Sequence, residues 1–77
     1  MDMAVLGRDE AGYQAYTLQI REEYKHVPAD LFRVGRSKVL NAFLQFEAIY
    51  HSSSFRARFE SVARDNLKRE LQVLNGE

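Results

Sequence analysis

The chain has 77 residues, with 11 Lys and Arg against 11 Asp and Glu, 45% hydrophobic residues, a single Pro and neither Cys nor Trp. That bounds it to one small domain without a disulfide or a thiolate metal site, and its five Phe and four Tyr exclude a disordered chain. Its longest purely apolar run, Met3 to Leu6, is far short of the ~20 residues that span a bilayer and follows an acidic rather than a basic start, so neither a membrane span nor a secretory leader is expected and the location expected is cytoplasmic.

In chain order, the spacing of Tyr13, Tyr16, Thr17, Ile20 and Tyr24 predicts a first helix over about 9–25. Asp9 suits its N-cap, because a carboxylate there accepts from the free N–H groups of the first turn and complements the helix dipole. Val27-Pro28 ends it, since a proline disfavours helical geometry in the residue before it.

Pro28 suits the first position of a second helix, over about 28–45, with Asp30 in its first turn. The stripe Phe32, Gly35, Val39, Leu40 and Phe43, widened by Leu31, Leu44 and Phe46, is broader than one packing face requires and predicts two neighbours. Gly35 in mid-helix costs about 1 kcal/mol relative to Ala, so the expectation is that something approaches the backbone closely there.

After a short link, Ser52-Ser53-Ser54 offers a hydroxyl cap, and Phe55, Phe59, Val62, Ala63, Asn66, Leu67, Leu71 and Leu74 recur at helical spacing, predicting a third helix over about 53–74. Glu60 with Arg64 and Asp65 with Arg69 are oriented i, i+4 pairs, and Asn75-Gly76 is a C-terminal stop. The fold class is therefore all-α, a three-helix unit of antiparallel neighbours. A chain this short buries only about 60% of the surface its unfolded form exposes, so a partner that shares the core is expected, and the simplest is a second copy. Phe32, Val39, Phe43, Phe55, Phe59 and Leu67 are expected in the core or in that homodimer interface.

The string Asp2-Met3-Ala4-Val5-Leu6-Gly7, with Tyr13, Tyr16, Ile20-Arg21, Glu23-Tyr24, Val27-Pro28, Gly35-Arg36, Val39-Leu40, Phe43-Leu44, Ile49-Tyr50, Ala63-Arg64, Asn66-Leu67 and Glu70-Leu71, resembles the C-terminal portion of predicted metal-dependent HD-superfamily phosphohydrolases. In that family a helical core supplies histidines and aspartates, including a His-Asp dipeptide, to metal ions that activate water against a phosphate ester. Here His26 and His51 are not followed by Asp, and Asp2 alone cannot fix a metal. The resemblance thus implies a helical portion without the hydrolytic site: no enzymatic activity, no cofactor, and a face that would otherwise pack on a catalytic core.

Arg21, Glu23, Arg36, Glu60 and Arg64 form the candidate polar cluster. Guanidinium groups bind phosphate or carboxylate bidentately, so Arg21, Arg36 and Arg64 could converge on an anion; the simpler reading makes the five residues inter-helix ion pairs that fix register. His51 beside the serines has the residue types of a nucleophile and base but no orienting acid or oxyanion hole, and the serines are explained by capping. Charge is divided, −3 over residues 1–30 and +3 over 31–77, without the domain-wide basic excess of a nucleic-acid binder, so nucleic acid is not an expected partner. The reading is a non-catalytic helical interaction module; the alternatives are a binding protein for a phosphorylated small molecule or nucleotide, and a regulatory partner of a complete HD-type hydrolase.

Overall fold

The computed structural model describes residues 3–76, so Asp2 lies outside the described residues. Asp9 acts as the expected cap, its Oδ1 accepting from the Gly12 N–H at 2.8 Å, and helix α1 runs Glu10–Glu23. Pro28 stands one position earlier than expected, as the N-cap of α2 (Ala29–Gln45), where its carbonyl accepts from Phe32 N at 2.9 Å. The third helix, α3, spans Ser53–Leu74, and a 3₁₀ turn at Met3–Gly7 precedes α1; there is no strand among the described residues. No helix there is long and apolar enough to cross a membrane.

The hydroxyl cap expected for α3 does not form. Ser52 is the N-cap residue, but its Oγ lies 3.1 Å from Ser54 Oγ and accepts from no helix N–H. The entry into α3 is held by Arg56, which donates to the carbonyls of Tyr50 (3.3 Å) and His51 (3.4 Å). Because a short link joins α2 to α3, the two helices fold back on each other: Arg36 lies against Glu70, and Leu44 against Arg64. That is the antiparallel arrangement the short connection predicts.

The buried core consists of Leu6, Tyr13, Tyr16, Leu40, Ile49, Tyr50, Ala63 and Leu67. Leu67 is central, as expected, while Phe43 and Phe59 are half-buried at its margin and Phe32 is half-buried away from it. Val39 and Phe55 are not core residues: they are 43% and 50% exposed. The physical reason for Val39 is rotational, since α2 turns Arg36 and Leu40 inward and leaves the Gly35–Val39 side of its stripe at the surface. An arginine takes a core position because Glu70 neutralises it there.

Two segments outside the long helices complete the core. The 3₁₀ turn packs on α3 and α1 and inserts Leu6, and the α2–α3 link inserts Ile49 and Tyr50, the latter in ring contact with Phe55 and Phe59 at centroid distances of 6.3 and 6.1 Å. Gly7 is the position where close approach demands a glycine, because a Cβ there would stand 2.9 Å from Phe59 Cβ. Gly35, where close approach of another helix backbone or a large aromatic was expected, has nothing within 4 Å of a Cβ built on it.

Candidate functional site

One carboxylate ties the three helices together. Arg36 on α2 donates from Nε to Glu70 Oε2 at 2.7 Å and from Nη2 to Glu70 Oε1 at 3.0 Å, and Tyr13 on α1 donates its hydroxyl to Glu70 Oε1 at 2.5 Å. The Arg36 guanidinium also lies 5.5 Å from the centroid of the Tyr16 ring. Both charged side chains are nearly buried, at 8% and 9% exposure. Burial and the hydrogen bond to Glu70 push the Tyr13 hydroxyl well above its ordinary value, so it stays protonated as a donor. For Arg36, burial works against the charge, but the Glu70 carboxylate outweighs it and holds the guanidinium above its ordinary range. With the Tyr13 hydroxyl and the Arg36 guanidinium both held in their protonated forms, the arrangement is a clamp.

A second clamp joins the far ends of α2 and α3. Glu60 accepts from the backbone N–H of Ile49 at 3.0 Å on each oxygen, from Tyr50 N at 3.2 Å and from Arg64 Nε at 2.7 Å. Burial alone would raise the Glu60 carboxyl, yet the two backbone donors and Arg64 together hold it below its ordinary range. Arg64 in turn covers the carbonyls ending α2, donating to Leu44 (3.1 Å), Phe46 (2.7 Å) and Glu47 (3.3 Å). These are groups that a helix C-terminus leaves without internal partners.

Arg21 performs the same service for α1, donating to the carbonyls of Tyr24 (3.0 Å) and Val27 (3.2 and 3.3 Å) with its guanidinium 4.7 Å from the Phe32 ring centroid. Asn66, buried in α3, donates Nδ2 to the carbonyls of Leu6 (2.9 Å) and Arg8 (2.8 Å) and accepts from Arg69 Nη1 at 3.0 Å. The five-residue cluster expected from sequence is thus separated: Arg21 serves the α1–α2 turn, Arg36 mates with Glu70, Glu60 and Arg64 pair within α3, and Glu23 is exposed. Of the expected inter-helix ion pairs, only Arg36 makes one, and its partner was outside the cluster. The missed residues, Glu70 and Asn66, carried a signal: both stand on the Ala63–Leu67–Leu74 face of α3, where an unpaired polar group would be costly.

With those side chains engaged, two of the open hollows are lined mostly by apolar side chains. A groove of about 340 Å³ runs between α1 and α2, walled by Ile20, Tyr24 and Val27 on one side and Leu31, Phe32 and Val39 on the other, with Gly35 in its floor. A second hollow, about 260 Å³, lies between α1 and α3 beside the highly exposed Leu18 and Val73. His26 and His51 are exposed, and among the described residues no three His, Asp or Glu side chains gather where a metal ion could be held. No family model, no curated protein and no solved structure matches this chain, so the likeness to HD-superfamily phosphohydrolases rests on the residues quoted above.

Proposed function

We propose that this chain is a non-catalytic helical interaction module whose working surface is the α1–α2 groove and the adjoining outer face of α2. The observation that carries the reading is the exposure of large apolar side chains there: Tyr24, Leu31 and Val39 line the groove and are open to solvent, and Val34 is exposed on the outer face of α2. An apolar patch of that extent on a small domain marks an interaction site. The clamps around Glu70 and Glu60 support the same reading from the other direction, since they spend the charged side chains on holding helix ends and leave the groove to apolar contact.

The resemblance to the C-terminal portion of HD-type phosphohydrolases agrees with this role: a helical segment that packs on a larger core in those proteins would here present that face to a separate chain. A phosphate-binding role through Arg21, Arg36 and Arg64 has less support, because their guanidinium groups are occupied at three separate places. The test is solution mass by light scattering across a dilution series, with helicity followed by circular dichroism. Assembly that dissociates on dilution is the expected result. A monomer at every concentration, with a thermal shift on adding inorganic phosphate, would replace this reading by the anion-binding one.

A further inference from the structure

We propose that residues 3–23, the 3₁₀ turn together with α1, form a hinged strap that lifts as one unit from the α2–α3 pair about the turn at 24–28. The proposal goes beyond the interaction reading and does not depend on what the α1–α2 groove holds.

The three helices are not equally seated. The 3₁₀ turn packs on α3 and on α1, and α2 packs on α3, but among the described residues the backbone of α1 approaches α2 and α3 far less extensively than those two approach each other. A short turn joins α1 to α2, yet the groove of about 340 Å³ separates them, and the hollow of about 260 Å³ opens on the other side of α1. An element with open flanks and thin packing opens ahead of the whole molecule.

The strap is fastened by side chains from two neighbouring turns of α3. Asn66 donates to the carbonyls of Leu6 and Arg8, and Glu70 accepts the Tyr13 hydroxyl. Arg69 Nε also lies 3.9 Å from Glu10 Oε1, a solvent-screened pair that adds little. Leu6, Tyr13 and Tyr16 are the apolar anchors. The Tyr16 hydroxyl, however, is buried without a hydrogen-bond partner among the described residues, a cost of the closed state that access to water removes.

The α2–α3 pair keeps its own fastenings when the strap is away. Arg36 meets Glu70 at one end, and at the other Glu60 holds the N–H groups of Ile49 and Tyr50 while Arg64 holds the carbonyls of Leu44, Phe46 and Glu47. None of these bonds passes through residues 3–23. In the hinge, Tyr24, Lys25, His26 and Pro28 are exposed, and the contacts of Arg21 and Tyr24 with the Phe32 ring lie at the pivot, where a rotation displaces them least. Lifting the strap opens Asn66 and the Arg36–Glu70 pair to solvent, so that the buried side of α2 and α3 becomes accessible while the two helices stay joined.

The test is native-state hydrogen exchange on the whole chain in low denaturant, with circular dichroism to verify that each variant keeps its helices. Amides of α1 should exchange at least roughly tenfold faster than those in the middle of α2 and α3. Tyr13→Phe should widen that gap about tenfold, because it removes the hydroxyl tie to a charged acceptor without touching the bonds of Arg36 to Glu70. The chain has no cysteine, so Leu18→Cys with Val73→Cys, both 71% exposed on the hollow between α1 and α3, can be joined by a short bismaleimide; that lock should slow α1 exchange to the rate of α3. Exchange of α1 in step with α2 and α3 would overturn the strap, since α1 would then open only with the whole chain. Fast α1 exchange that the lock leaves unchanged would overturn it as well, because the helix would then be melting in place rather than lifting.

Discussion

Arg36 and Glu70 face each other across the interior of the bundle, on α2 and α3, joined by two hydrogen bonds of 2.7 and 3.0 Å and almost shut off from water. A pair so placed holds the helices in register, and its removal in halves is far more damaging than its removal as a whole. Glu70→Gln leaves the Arg36 charge buried without its counter-ion and should cost about 3 to 5 kcal/mol. The total stability of a 77-residue domain is only about 4 to 12 kcal/mol, so that loss is visible as partial unfolding. Replacing the whole set by Tyr13→Phe, Arg36→Met and Glu70→Leu should recover most of it. Urea unfolding followed by circular dichroism decides the matter; a Glu70→Gln loss under about 1 kcal/mol would deny the clamp its role.

Asn66→Leu removes the donor that holds the carbonyls of Leu6 and Arg8. The 3₁₀ turn should come away from α3, with a loss of about 1 to 3 kcal/mol from the unsatisfied carbonyls and the freed Leu6. Amide hydrogen exchange should show Arg8, whose N–H bonds Val5 O at 3.3 Å, losing protection while the middle of α3 keeps its own. Unchanged protection at Arg8 would mean that apolar packing alone seats the turn.

Acid should weaken the α2–α3 link through Glu60. Its carboxyl is held below the ordinary value of 4.5 in the folded chain, so its contribution is complete above that value and disappears as pH falls through the lower folded one. Glu60→Gln should lower stability near neutral pH and flatten the acid limb of the stability profile. Denaturant midpoints measured from pH 6 down to pH 2 would show it; parallel limbs for the two proteins would count against the assignment.

Gly35 and Gly7 should respond to alanine in opposite directions. In dilute solution Gly35→Ala should stabilise the helix by up to about 1 kcal/mol, because the new methyl meets nothing within 4 Å. Gly7→Ala drives a Cβ to within 2.9 Å of Phe59 Cβ and 3.1 Å of the Tyr50 hydroxyl, which requires the turn to shift. Thermal melts of the two variants should move up and down respectively.

Leu67→Ala should cost about 2 to 5 kcal/mol, since Leu67 is fully buried. Phe59→Ala should fall below that range and Phe55→Ala lower still, following their exposure. Equal losses at Leu67 and Phe55 in denaturant unfolding would contradict the described core.

Much of the fold was legible because it depends on local chemistry. Asp9 capping α1, Pro28 separating α1 from α2, and the i, i+4 pair of Glu60 and Arg64 need only residues close in sequence, and all three stand as their spacing implied. The helix bounds moved by no more than two residues, at the C-terminal end of α1. The site was harder to read. The expected arginine cluster grouped residues by kind, whereas carbonyls at helix ends, invisible to a reading of side chains, claimed Arg21 and Arg64. Leu6, Ile49 and Tyr50 enter the core from short segments without a periodic pattern to announce them.

The sequence by itself determined the three helices, their breaks and the antiparallel return of α3 on α2, because capping, proline sterics and short connections act over a few residues. Only the tertiary structure decided which side of the broad α2 stripe turns inward. That choice sets Leu40 against Val39 and depends on Arg36 finding Glu70, a residue 34 positions away, whose carboxylate makes the burial of a charge on α2 tolerable. Once that pair closes, the side of α2 bearing Gly35 and Val39 remains at the surface, and with it the groove on which the proposed function rests.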